Sequence, residues 1–109
     1  MRLSGQIKMG YYPTPASTLP LITAYLSAAR PDTARLLDPC CGEGEALAYV
    51  AQHLATQDTW GAELSPDRAN AARNVLGKVH SAAWQHCKVG RGVVSLLYLN
   101  PPYGQSLTV

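Results

Sequence analysis

The sequence predicts an α/β fold built on a parallel sheet, and three observations predict it. Short strand candidates alternate with helical patterns, the order that crossover connections between parallel strands require. The last apolar run, Val93-Val94-Ser95-Leu96-Leu97-Tyr98-Leu99, is continuous rather than alternating, as in a strand covered on both faces. A glycine turn, Gly42-Glu43-Gly44, stands shortly after the first strand candidate.

Residues 1–15 read as irregular, punctuated by Gly5, Gly10, Pro13 and Pro15. A helix is predicted over Leu19–Ala29, with Leu21, Ile22, Tyr25, Leu26 and Ala29 on one face at period 3.6. Thr18 is placed to cap it, Pro20 is tolerated in its first turn, and Pro31 stops it. Ala34–Asp38 is the first strand. A second helix runs from about Glu45 to Thr56 with Leu47, Val50, Ala51 and Leu54 inward, and Thr59–Leu64 is the second strand. Ser65-Pro66 opens a third helix, which runs to Leu76 and should end in a left-handed turn at Gly77. Lys78–His80 is a brief strand, residues 81–92 show no clear pattern, and Val93–Leu99 closes the series.

With 109 residues the chain forms one domain, residues 1–109, and its 15 % charged composition is that of a soluble globular protein. No apolar run approaches the roughly 20 residues of a membrane span. No signal-peptide core opens the chain, and three cysteines, two of them adjacent, suit a reducing compartment; the expectation is cytoplasmic, with no membrane partner. A formal charge of +2 spread along the chain forms no basic run, so charge alone does not argue for nucleic acid. His80, His86 and Cys87 lack a fourth ligand at metal spacing, and no metal site is expected. His53 reads as a surface residue, Trp60 and Trp84 as packing, and Arg68, Arg73 and Lys78 as a solvated face.

In such sheets ligands bind beyond the carboxyl ends of the strands. The first strand ends in Asp38-Pro39-Cys40-Cys41-Gly42-Glu43-Gly44, where Gly42 and Gly44 permit positive φ and a close approach to a ligand. The third glycine of a dinucleotide fingerprint is replaced by Leu47, and Gly44-Glu45-Ala46 lacks the Lys-Ser/Thr of a phosphate loop. Glu63 ends the second strand, placed to accept hydrogen bonds from ribose hydroxyls. Turn and acid together suit an adenosine ligand without phosphate, and S-adenosylmethionine fits.

Asn100-Pro101-Pro102-Tyr103 is the most specific signal. The prolines end the strand and aim the Asn100 amide and Pro101 carbonyl at one point as acceptors. An amino group conjugated to a ring is a weak nucleophile, and two acceptors on its protons free the lone pair. Tyr103 offers a face for stacking a heteroaromatic ring, worth roughly 1–3 kcal/mol per base.

At these residues the chain resembles the class I S-adenosylmethionine-dependent methyltransferases of the amino-methylating group. Tyr12-Pro13-Thr14-Pro15 resembles their N-terminal Thr-Pro motif, which implies that Tyr12, Thr14 and Pro15, within a segment 1–17, contact the methionine end of the cofactor. Asp38 to Gly44 resembles motif I, implying cofactor contacts at Asp38, Pro39, Cys40, Gly42 and Gly44; Glu63 with Leu64 resembles motif II. Asn100, Pro101, Pro102 and Tyr103 resemble the catalytic motif IV, with Asn100 also beside the cofactor. More narrowly, Lys8 to Pro15 and Leu36 to Glu45 resemble a bacterial family of uncharacterised predicted methyltransferases.

The resemblance implies a doubly wound, Rossmann-like sheet in the order 3-2-1-4, with the C-terminal half of the full fold absent. It implies adenine-N6 methylation of DNA, the base being flipped into the site. The same motif serves glutamine side chains of proteins and some RNA, and a non-catalytic cofactor-binding or assembly module is the third reading. The acid usual after the third strand is replaced near Ala83. An uncovered last strand further predicts self-association.

Overall fold

A four-stranded parallel sheet in the order β3-β2-β1-β4 organises the computed structural model, which describes residues 12–101. In chain order the elements are α1 (Leu19–Thr23), β1 (Arg35–Asp38), α2 (Glu45–Leu54), β2 (Asp58–Glu63), α3 (Pro66–Ala72), β3 (Lys78–Ser81), a 3₁₀ turn at Trp84–His86, and β4 (Leu96–Leu97). The predicted strand order holds. The parallel register sets Leu36 and Leu37 against Leu96 and Leu97, and Asp38 against Gly61, so β1 sits between β2 and β4.

The core lies on one face of this sheet. Helix α2 buries Leu47, Val50, Ala51 and Leu54, the spacing that puts one stripe of a 3.6-residue helix against the strands. These meet Leu36 of β1 and Ala72 and Leu76 of the second crossover, with Leu36, Leu47 and Val50 fully enclosed. Helix α3 begins as its sequence dictates: Ser65 Oγ accepts from the Arg68 N–H, and Pro66 occupies the first turn.

Four expectations are corrected. Helix α1 stops at Thr23 rather than Ala29, and Thr18 makes no side-chain cap. It buries Leu19 and Thr23, whereas Leu21 and Tyr25 are exposed; the Thr23 hydroxyl bonds back to Leu19 O, and the chain continues in single turns to Leu26. Helix α3 likewise gives way to turns at Arg73–Leu76. Gly77 is not left-handed: its N–H donates to Thr59 Oγ1, and a Cβ there would stand 3.1 Å from the Thr59 carbonyl. Finally, β4 pairs over only Leu96–Leu97, flanked by the bonds Ser95 N–H to Arg35 O and Tyr98 N–H to Leu37 O. Its covering is one-sided among the described residues, with Val93, Leu97 and Leu99 exposed.

Trp60 on β2, beside Leu37 of β1, is flanked by two cations. Its indole N–H donates to Asp58 Oδ1, while the Arg35 guanidinium and Lys78 ammonium stand 5.2 and 4.7 Å from the ring centroid. Arg35 also bonds Asp58, holding that carboxyl below its usual range.

Candidate functional site

Because all four strands are parallel, their carboxyl ends form one rim, and two clusters of the predicted residues lie along it. The first surrounds the turn after β1. Asp38, 2 % exposed, accepts the Cys40 N–H on Oδ1. Burial pushes its carboxyl up to about 7; the Cys40 N–H opposes this and the nearby Glu63 charge adds to it. The chain then folds back through Gly42 (φ 57°) and Gly44 (φ 84°), both left-handed as expected.

That turn is clamped onto β2. The Cys41 N–H donates to Ala62 O, and the Cys41 thiol lies so close over Gly61 that a Cβ there would come within 2.7 Å of sulfur. A side chain at Gly44 would meet Val75 and Leu76 at 3.0 and 3.1 Å. This glycine therefore serves helix packing as well as the backbone bend. Burial and the carboxylates of Asp38 and Glu63 push the thiols of Cys40 and Cys41 up to about 11 and 12, so neither is a nucleophile at neutral pH.

Glu63 completes the cluster in a way the sequence did not suggest. Its Oε1 accepts the Gly42 N–H at 3.0 Å, and its Oε2 accepts the Ser65 N–H at 2.8 Å. Arg68 approaches Oε2 through Nε at 3.3 Å and Nη2 at 3.2 Å. The residue is 6 % exposed, and three protein partners already engage a group expected to present itself to a ribose. In this structure the carboxylate braces the glycine turn to the start of α3. Arg68 is correspondingly corrected from a solvated face to a buried position, 8 % exposed. Pro39 and Cys40 are half-buried and Leu64 is exposed along the same rim. Ala83, the position lacking an acid, follows β3 beside this cluster, where the Ala82 N–H bonds Glu63 O.

The second cluster gathers residues from opposite ends of the described chain at the tip of β4. The Asn100 side-chain Nδ2 donates to Tyr12 O at 3.0 Å and to Thr14 Oγ1 at 3.3 Å, and the Thr14 hydroxyl is hydrogen-bonded to the Tyr98 hydroxyl. Tyr12, Thr14, Pro15, Tyr98 and Asn100 line an open groove of about 540 Å³, floored by Ile22, Leu26 and Leu96 to Leu99. Pro101 follows half-buried, while Pro102 and Tyr103 lie outside the described residues. The sequence reading missed Tyr98; its only signal was a polar tip in an apolar run, two residues before Asn100 in extended chain.

The residues of the first cluster suit an adenosyl sulfonium better than a nucleotide. From Asp38 to Glu45 the chain carries three acids and no lysine or arginine, which disfavours phosphate and favours a cationic ligand. Among the described residues no group of three histidine, cysteine or carboxylate side chains could hold a metal ion. Nor is any described helix long and apolar enough to cross a membrane.

Sheet order, glycine turn and strand-tip acid together define a Rossmann-like methyltransferase fold. The chain belongs to an uncharacterised methyltransferase family (DUF6094), whose pattern matches residues 1–109. Two solved structures are similar. An RNA methyltransferase from Salinibacter ruber, in complex with S-adenosyl-L-homocysteine, superposes with a TM-score of 0.62 at 18 % identity, over 81 % of this chain and 60 % of that one. The sugar N-methyltransferase KedS8 from Streptoalloteichus sp ATCC 53650 gives 0.60 at 28 % identity, over 92 % of this chain and 40 % of that one. The chain thus spans less than two thirds of either protein. No curated protein matches it in sequence.

Proposed function

We propose that this chain is an S-adenosylmethionine-dependent N-methyltransferase whose acceptor is the N6 amino group of adenine in DNA. The observation that carries the reading is the Asn100 amide, anchored through its nitrogen on the rim that also bears the glycine turn. S-adenosylmethionine, when bound, supplies a methyl group on a sulfonium whose leaving group is a neutral thioether.

The chain's own task is to present the acceptor. With its nitrogen tied to Tyr12 and Thr14, Asn100 offers Oδ1 to an amine proton, and the Pro101 carbonyl is the second acceptor beside it in sequence. Holding both protons shifts the amine toward a pyramidal geometry and frees its lone pair. The apolar floor of the groove suits an acceptor with a flat or apolar body, and Tyr103 supplies a stacking ring in sequence. The turn between Asp38 and Gly44 holds the cofactor, and Tyr12 and Pro15 line the groove beside Asn100.

The test is to incubate the purified chain with methyl-labelled cofactor and, separately, duplex DNA, RNA and a glutamine-bearing peptide. N6-methyladenine in DNA is expected, with Asn100→Ala lowering kcat by roughly 10²–10³ and affinity for S-adenosylhomocysteine much less. Label confined to RNA or peptide overturns the DNA assignment and keeps the chemistry. Binding of S-adenosylhomocysteine without transfer to any acceptor favours the non-catalytic module.

A further inference from the structure

We propose that Tyr98 and Thr14 are positioning residues whose hydroxyls fix which way the Asn100 amide faces. The inference rests on the reading of Asn100 as the acceptor-binding group. An asparagine side chain has two nearly isosteric orientations, and only one offers oxygen to an incoming amine. The wrong one opposes N–H to N–H.

The partners decide between them. The Tyr12 carbonyl can only accept, so the atom 3.0 Å from it must be the amide nitrogen. The second N–H of that nitrogen points at Thr14 Oγ1, 3.3 Å away. Both protons are then used, and Oδ1 is the atom left to face a substrate. Rotating the amide would break the bond to Tyr12 and set oxygen against its carbonyl oxygen, and a Thr14 hydroxyl whose proton is given to Tyr98 has none left to donate to that oxygen.

Thr14 alone is a weak post, because a threonine hydroxyl rotates and its segment is exposed at Tyr12, Pro13 and Pro15. Tyr98 supplies the stiffness. Its ring packs against the buried core, its backbone N–H bonds Leu37 O on β1, and its hydroxyl meets the Thr14 hydroxyl. Order passes from the central strand to Tyr98, then to Thr14, then to the Asn100 amide. Neither hydroxyl needs to touch the acceptor for this role.

The experiment compares Tyr98→Phe, Thr14→Val and Thr14→Ser in the full chain by ¹⁵N–¹H correlation spectra of the side-chain amides, with S-adenosylhomocysteine affinity measured by calorimetry. Thr14→Val should shift the Asn100 NH₂ signals and speed their exchange with water several-fold. Tyr98→Phe should do the same to a lesser degree, and Thr14→Ser should restore the wild-type signals. Where wild-type transfer is measurable, each hydroxyl deletion should lower kcat roughly ten-fold, the size of one lost hydrogen bond, and Tyr98→Phe should do so with ligand affinity unchanged. If Thr14→Val fails to fold, Tyr98→Phe decides alone, since it removes one oxygen and keeps the ring.

Asn100 signals indifferent to Tyr98→Phe and to any folded Thr14→Val overturn the proposal, even in an active methyltransferase. Coupled signals in a protein that methylates no acceptor uphold the positioning and overturn the function it was meant to serve.

Discussion

The two clusters on the carboxyl rim are held by opposite means. Around the glycine turn, Asp38, Glu63 and Arg68 are buried, and short-range bonds of the crossover fix every group. At the tip of β4, Asn100 is only half-buried in an open groove, and its partners lie 86 and 88 residues away. The first region is preorganised by desolvation and charge. The second depends on three hydrogen bonds, two of which a single side-chain change can remove. A site that must hold one ligand firmly and admit a second, larger one gains from this division.

The largest expected effect breaks the first region. Glu63→Ala leaves the Arg68 guanidinium buried without its carboxylate and should cost about 3–5 kcal/mol of unfolding free energy. Urea denaturation without ligand measures this. A loss confined to cofactor binding, at unchanged stability, would return Glu63 to the ribose contact the sequence suggested.

Next in size is Gly61→Ala, which drives a methyl group against the Cys41 thiol and should cost about 1–3 kcal/mol. Pairing it with Cys41→Ala should recover part of that loss, and a double-mutant cycle reads the coupling.

Asp38 gives the pH dependence of the same region. Its carboxyl takes up a proton in the folded chain near pH 7 but only near 3.8 in the unfolded chain. Between those values the folded state binds the extra proton, so this contribution is full below pH 3.8 and is lost as pH rises to about 7. Asp38→Asn should flatten the fall in thermal midpoint across that window. An unchanged slope would show that another group sets it.

The smallest effect on stability belongs to the β4 side. Leu97→Lys, at a residue 52 % exposed, should change unfolding by no more than about 0.5 kcal/mol. Its readout is association instead. Exposed Leu97, on a strand paired on one side among the described residues, with exposed Val93 and Leu99 flanking it, should make the wild-type chain self-associate at micromolar concentration, and the lysine should suppress this. Light scattering that finds the wild type monomeric removes that expectation.

Where periodicity and turn chemistry were strong, the fold was legible. Leu47, Val50, Ala51 and Leu54 announced α2, Ser65-Pro66 announced α3, and the alternation of elements announced the parallel sheet. Helix α1 was misjudged because Leu21 and Tyr25 fit an apolar face that the tertiary structure leaves in water. The site was half legible. Motif spacing pointed to Asp38, Gly42, Gly44, Glu63, Thr14 and Asn100, which the fold gathers in two clusters on one rim, but no local pattern says whether a strand-tip carboxylate faces a ligand or its own loop. That depended on Arg68, whose helix position looked solvated until Glu63 was set beside it. Tyr98 was hidden for a similar reason, since its partner Thr14 comes from the far end of the chain.

The clamp on Asn100 has a consequence for the order in which the molecule assembles. The turn, β2 and α3 interlock over short stretches of chain, and such contacts close early because little loop entropy opposes them. The bonds from Asn100 to Tyr12 and Thr14 enclose nearly the whole described chain and, by the same reasoning, close late. In that order of closure, a partly folded molecule has its glycine turn shaped before the Asn100 amide is fixed. Under the role proposed for Asn100, methyl transfer would then wait for this last closure, with no separate checkpoint required.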